Sequence, residues 1–316
     1  MPRLDGMRVL VTGGAGFIGS HVVERLLDGG AEAVVVDDLS TGDLGNLAHL
    51  EGRDGLEVHV CDAGRPPREA LAGITHGAHL SARTDVAASV RDPALYWETN
   101  VLGSVRVLEA MATAGARVAV VASSAAVYGD LPPPVAEDAP ARPISPYGAG
   151  KLAVDLLAHH YGAHTALRLT PLRFFNVYGP RQHPRSPYSG VISVFAKAAL
   201  AGEDLVVHGD GEQTRDFVYV ADVAEAVERA LLRPEAAGGP INIASGRGTT
   251  INALAAEVNA LTGGRSAVRH GPPRPGDIRH SVARVDRARE LLGFEARVKL
   301  PDGLSWTIDW MRARSP

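Results

Sequence analysis

The chain has 316 residues, 45% hydrophobic and 22% charged, the balance of a water-soluble globular protein with material for one large or two ordinary domains. Its net charge of −4, from 32 basic and 36 acidic residues with no long run of either sign, argues against a nucleic-acid or membrane-surface partner and leaves room for a small anion site. Cys61 is the only cysteine, which excludes an intrachain disulfide, and neither a secretory signal nor an apolar run of about 18 residues is visible, so a cytoplasmic protein is expected.

The first elements form one unit. "VLVTGGAGFIGSHVVERLL" reads as buried strand, glycine turn and helix, the order that dinucleotide binding requires. Gly13, Gly16 and Gly19 fit G-x-x-G-x-x-G, and Gly14, Gly16 and Gly19 fit the tighter G-x-G-x-x-G. With Phe17 and Ile18 between the last two glycines, this turn is the expected cofactor-binding loop, an anion resting on the helix N-terminus. The helix ends at Gly29–Gly30, and "AVVVDD" follows as a second strand. Asp37 stands there eighteen residues after Gly19, placed to accept hydrogen bonds from both adenosine ribose hydroxyls and to repel a 2′-phosphate. NAD is therefore expected over NADP. A third strand, "LEVHVCD", ends at Asp62, which suits either a contact to the adenine amino group or an ordinary strand-end cap.

"HGAHLSA" and "RVAVVAS" supply further short strands, several of these runs apolar throughout, as suits a parallel sheet buried on both faces. Between and after them, "DPALYWETNVLGSVRVLEAMATAG" and "SPYGAGKLAVDLLAHHYGA" read as long helices. Repeated β-α units with right-handed crossovers predict a doubly wound α/β fold. Residues 1–175 are expected to form this dinucleotide-binding domain. Residues 176–316, rich in loops such as "VYGPRQHPRSPYSG" and "RHGPPRPGD", are expected to form mainly a smaller, mixed α/β substrate domain, with some segments returning to the first sheet.

"SPYGAGK" places Tyr147 and Lys151 one helical turn apart. An ammonium beside a phenol favours the phenolate, which would make Tyr147 a usable acid/base at neutral pH. The bland alternative, a Tyr and a Lys on a solvated helix face, loses ground because the strand "VAVVASSAAVYGD" opens into hydroxyl residues about twenty positions earlier. Ser124, Tyr147 and Lys151 form a candidate catalytic set beside a nicotinamide pocket. His79, His159, His160 and His183 lack paired ligand spacing, and no metal site is expected.

With these residues on the page, the chain resembles the extended short-chain dehydrogenase/reductases, and among them the NAD-dependent nucleotide-sugar epimerases. "VTGGAGFIGSH", "DDLSTG", "SSAAVYG", "SPYGAGK", "RFFNVYGPRQ", "GDGEQTRDFVYVADV" and "PRPGD" occur in the family's order and span nearly the whole chain. The resemblance implies that Ser124 bonds the sugar 4-oxygen, that Tyr147 exchanges its proton, and that Lys151 holds the nicotinamide ribose. It implies that Asn176 contacts the nucleotide-sugar, that Arg215 and Arg274 grip the diphosphate, and that Asp277 meets the uridine ribose. It also implies a homodimer through the helices of "YWETNVLGSVRVLEAM" and Tyr147.

Related 4,6-dehydratases carry an Asp-Glu pair after the catalytic hydroxyl residue, and glucuronate decarboxylases a glutamate before "VYG"; here Ala125 and Ala126 stand in those places. The resemblance then points to 4-epimerisation of a UDP-hexose, with another nucleotide-sugar-modifying short-chain dehydrogenase (a 4,6-dehydratase or 4-keto reductase) as one alternative and a NAD-sensing regulatory protein on the same fold as the alternative of another class. Whether C6 of the sugar is a hydroxymethyl or a carboxylate stays open. Glucuronate 4-epimerases tend to carry arginine in place of His183 and threonine in place of Asn176, while Arg185 could reach a carboxylate or be solvated.

Overall fold

The computed structural model describes residues 4–182, 190–274 and 277–314. In chain order the strands are β1 (Arg8–Thr12), β2 (Glu32–Asp37), β3 (Leu56–Val60), β4 (His76–His79), β5 (Val118–Ser124), β6 (Arg168–Phe174) and β7 (Asn176–Tyr178). They continue with β8 (Leu205–His208), β9 (Thr214–Tyr219), β10 (Ile241–Ile243), β11 (Gly248–Thr250), β12 (Val268–Gly271) and β13 (His280–Ser281). The helices are α1 (Phe17–Asp28), α2 (Arg68–Leu71), α3 (Val86–Arg91), α4 (Pro93–Trp97), α5 (Gly103–Thr113) and α6 (Pro146–His164). After them come α7 (Val191–Leu200), α8 (Val220–Leu231), α9 (Ile251–Leu261), α10 (Asp286–Leu292) and α11 (Leu300–Arg314).

Seven strands make one parallel sheet in the order β10-β6-β5-β4-β1-β2-β3. Both faces are covered, as the uninterrupted apolar runs require. In β1 the side chains alternate: Val9 and Val11 join Val22, Val23 and Leu26 of α1 and Val223 and Val227 of α8. Leu10 faces the opposite way, with Val107, Leu108 and Met111 of α5 and Val154 and Ala158 of α6. Each fully buried Leu or Val here contributes about 1.5–3 kcal/mol. The strand order reverses between β1 and β4, and a crevice at the strands' C-terminal ends follows from that reversal.

Around β9 a second assembly forms. β11 runs antiparallel to Thr214–Asp216, β13 runs parallel to the same stretch, and β7 pairs with Phe217–Tyr219. A two-stranded β8–β12 ribbon lies beside it, and Phe195 of α7, Leu254 of α9 and Leu304 of α11 fill a core of their own.

The segment read as a single helix over "DPALYWETNVLGSVRVLEAMATAG" is continuous but not uniform. A π turn at Glu98–Leu102 separates α4 from α5, inserting extra backbone that turns Asn100 inward, where it is buried.

Candidate active site

The glycines of the first turn are there because nothing larger fits. Gly13 has φ +72°, and a Cβ on Gly19 would stand 2.0 Å from the Gly13 carbonyl oxygen, so α1 begins directly against the turn. No side chain caps the start of α1 at Gly16, and no acid occupies its first turn. The free N–H groups and the positive end of the helix dipole are left for an external anion.

Gly13, Gly16, Phe17, Ile18, Gly19, Asp37 and Asp62, all anticipated from the sequence, line one cleft of about 450 Å³. Asp37 sits 6% exposed at the end of β2, where its two carboxylate oxygens accept from Ala15 N at 3.0 Å and Leu39 N at 2.9 Å. Burial pushes its carboxyl up, and these two bonds oppose the shift. Asp62 accepts from Gly64 N at 2.9 Å, so it acts as a strand-end cap while still lining the cleft. A glycine cradle, an uncapped helix start and an acid fixed at the next strand end fit a dinucleotide, with the pyrophosphate at α1 and the ribose at Asp37.

His79, also in the lining, is a structural histidine. Its Nδ1 meets Thr12 Oγ1 at 2.7 Å and its Nε2 meets Ser104 Oγ at 2.8 Å. Ser104 donates its own proton to the Asn100 carbonyl at 2.6 Å, so Nε2 carries the imidazole hydrogen and Nδ1 accepts from Thr12. Burial pushes His79 down to about 3, and the nearby Lys151 charge adds to the shift.

The catalytic set is assembled by β5 and α6. Ser145 caps α6 by accepting from Gly148 N at 3.1 Å, and Pro146 occupies the first helical position, where its missing N–H is harmless. Tyr147 and Lys151 then project from one face. The Lys151 ammonium donates to the Ala122 carbonyl of β5 at 2.7 Å and lies 6.0 Å from the Tyr147 ring centroid. Ser124 ends β5 and accepts from Ala126 N at 3.2 Å, and its hydroxyl lies near enough to the Tyr147 phenol to favour its ionisation.

The phenol is pushed above its usual value by burial; Ser124 opposes the shift and Tyr96 adds to it. Lys151 is itself pushed down to about 8 by burial, against which Asp155 acts.

The residues expected at the nucleotide-sugar lie on the second assembly. Asn176 opens β7 and donates from Nδ2 to the Asp216 carbonyl at 3.2 Å. Arg215 and Asp277 pair with each other, and Arg215 Nη1 also donates to the Thr214 carbonyl at 2.9 Å. Arg274 is exposed on the loop between β12 and β13. Arg185 and His183 lie outside the described residues.

Sequence reasoning passed over two groups that support the site. Asp216, fully buried, accepts from Ser245 N at 2.8 Å, Ser245 Oγ at 2.6 Å, Gly246 N at 3.0 Å and Ala283 N at 3.2 Å, which fixes β9 where Arg215 projects. Asp155, one turn beyond Lys151, accepts from Arg173 Nε at 2.9 Å. Arg173 in turn donates to the Tyr128 hydroxyl at 2.8 Å, and Tyr128 to Asn242 Oδ1 at 2.6 Å. An i, i+4 acid after the lysine was the available signal for Asp155; nothing local marked Asp216.

Comparison with known proteins agrees with this geometry. The NAD dependent epimerase/dehydratase family matches residues 9–244. A UDP-glucose 4-epimerase of Mycolicibacterium smegmatis is 40% identical, over 98% of this chain and 100% of its own. A UDP-glucose 4-epimerase of Thermus thermophilus, solved with NAD, superposes with a TM-score of 0.87 at 37% identity, covering 98% of this chain and 100% of its own. A UDP-N-acetylglucosamine 4-epimerase of Methanobrevibacter ruminantium, in complex with UDP-N-acetylmuramic acid, superposes with a TM-score of 0.93 at 33% identity, covering 100% of both chains.

Proposed function

Because the chain belongs to the NAD dependent epimerase/dehydratase family, we propose that it is a UDP-hexose 4-epimerase that inverts C4 through a transient 4-keto sugar, with UDP-glucose and UDP-galactose as its pair. It is an NAD-dependent nucleotide-sugar epimerase; C4 and the identity of the hexose are the parts proposed here. One observation carries the reading. The proton-transferring groups that meet at the end of β5 are Tyr147 and Ser124, and the turn that follows presents Ala125 and Ala126, which cannot transfer protons. Elimination of water needs a second acid and base; inversion at C4 needs one.

The dinucleotide, when bound, supplies reversible hydride acceptance. Everything else falls to this chain. When ionised, Tyr147 takes the proton of the 4-hydroxyl, directly or through Ser124, and returns it to the 4-oxygen once the sugar has turned its other face to the site. Ala126 N–H occupies an acceptor site on Ser124, so the serine proton is free to point at tyrosine or sugar. Lys151 spends one N–H on Ala122 and keeps two for ligand oxygens, the nicotinamide ribose hydroxyls among them. Arg215 and Arg274 hold the diphosphate by charge-assisted hydrogen bonds, Asp277 the uridine ribose, and Asn176 the sugar nucleotide. In the ligand-free chain Asp277 keeps Arg215 neutralised and in place, and a diphosphate would compete for that guanidinium. Firm diphosphate anchoring lets the hexose turn over within the site.

The same reading includes a homodimer. Val90, Trp97, Leu102 and Leu156, between 43% and 66% exposed, are carried by α3, α4, the π turn and α6. Those elements pack on one another beside the catalytic helix. This exposed apolar face supports a bundle of α4–α5 and α6 from each subunit.

Proton NMR of the purified chain with UDP-glucose, UDP-galactose, UDP-glucuronate and their N-acetylated counterparts tests the proposal. Interconversion of UDP-glucose and UDP-galactose to a fixed ratio supports it; loss of water or carbon dioxide from any of them removes it.

A further inference from the structure

The cleft lined by the first turn and Asp37 carries a cation that the other described residues leave uncommitted. Arg83 follows β4 by four residues, at the reversal of strand order. One side chain holds both of its backbone groups: its N–H donates to Asn100 Oδ1 at 2.9 Å, and its carbonyl accepts from Asn100 Nδ2 at 2.9 Å. Asn100 is 2% exposed, and its own carbonyl receives the Ser104 hydroxyl, which is joined through His79 to Thr12 of β1. The stretch leaving β4 is therefore fixed before any ligand arrives, and the π turn is what turns Asn100 to fix it.

Among the described residues the Arg83 side chain has no such partner. It lines the cleft, and its Nε is buried without a hydrogen-bond acceptor. A guanidinium N–H taken from water and given nothing in exchange is unfavourable, so an acceptor is expected to come with the ligand. The charges in the cleft indicate which ligand. Among the described lining residues the acids are Asp37, Asp38, Asp62 and Glu98, and the guanidiniums are Arg83 and Arg106. Arg106 already donates to Glu98 at 2.9 Å. Arg83 is thus the guanidinium of the described lining that has no carboxylate, in a cleft whose ligand carries a dianionic pyrophosphate. Its planar fork suits phosphate oxygens, and the N–H groups at the start of α1 share the load.

We propose that Arg83 is a binding residue for the pyrophosphate of NAD, donating from its buried Nε to a phosphate oxygen. This rests on the chain's NAD dependence and is independent of which sugar it epimerises. Calorimetry on the full chain and its Arg83→Ala and Arg83→Lys variants, titrated with NAD⁺, ADP-ribose, adenosine and UDP, tests it. Arg83→Ala should weaken NAD⁺ and ADP-ribose by about 10–100-fold and leave adenosine and UDP unchanged. Arg83→Lys should recover part of the loss, and the salt dependence of ADP-ribose binding should be shallower in Arg83→Ala than in the wild type. Unchanged ADP-ribose affinity would overturn the proposal. So would an equal loss for adenosine, which would mark a change of fold, or a loss confined to UDP, which would put Arg83 at the substrate.

Discussion

A Cβ on Gly148 would stand 2.5 Å from the carbonyl oxygen of Ala126, so the first turn of α6 rests directly on the backbone that follows Ser124. That contact sets the distance between Tyr147 and Ser124. Gly148→Ala must lift the helix start, and misplacement of a reacting group by about 1 Å costs roughly 100-fold in rate. We expect kcat to fall by about that factor with UDP affinity intact. Gly150 is the control: a Cβ there meets Val101 at an ordinary 3.5 Å, and Gly150→Ala should keep its activity. Equal activity in the two variants would contradict this account of the contact.

Tyr147→Phe keeps the ring and removes the proton carrier. Epimerisation should fall by about 10²–10⁴-fold while UDP binding is retained. Ser124→Ala should cost less, since water can stand in for a relaying hydroxyl. Steady-state rates on one UDP-sugar measure both, and substantial turnover by the Phe variant would remove Tyr147 from the mechanism.

Asp37 is held by Ala15 and Leu39 N–H groups with its remaining lone pairs toward the cleft. It should bond ribose hydroxyls and reject a 2′-phosphate, giving NAD⁺ at least a roughly tenfold advantage over NADP⁺ in calorimetry. Asp37→Ser should erase most of that preference. Equal affinities in the wild type would show that Asp37 does not read the ribose.

Lys151 ties stability to pH. Burial brings its ammonium from 10.5 to about 8. A folded value below the unfolded one means that the unfolded chain holds more protons between those limits, so this contribution to stability rises with pH across the window. Below about pH 8 the buried charge costs about 3 kcal/mol, and the cost is relieved as pH approaches 10.5. Lys151→Met should therefore stabilise the fold relative to wild type at pH 7 and by much less at pH 10, as read by urea unfolding. The same difference at both pH values would contradict the shift.

How much of this was legible in the sequence follows from the range of each interaction. The α1 turn and the Ser145–Pro146–Tyr147–Lys151 start of α6 are each written within a few residues, Asp37 stands eighteen residues after Gly19, and the structure brings the α1 turn and Asp37 into one cleft. The uninterrupted apolar run through Val9, Leu10 and Val11 foretold a sheet covered on both faces. What escaped depends on contacts between distant residues or on local geometry without periodicity. Arg83 gains meaning only when Asn100, seventeen positions later, clamps its backbone. The π turn that aims Asn100 leaves a sequence that still looks helical. Arg215 and Asp277, read separately as ligand contacts, pair across sixty-two positions.

The central claim is that C4 is oxidised and reduced again within one site, with Tyr147 handling only the oxygen-bound proton. UDP-glucose deuterated at C4, turned over in ordinary water and followed by NMR, tests it most directly. The account predicts UDP-galactose that keeps its deuterium at C4 in full, because the carbon-bound hydrogen never meets solvent while the hydroxyl proton exchanges freely. Progressive replacement of that deuterium by solvent hydrogen, at a rate matching epimerisation, would contradict it.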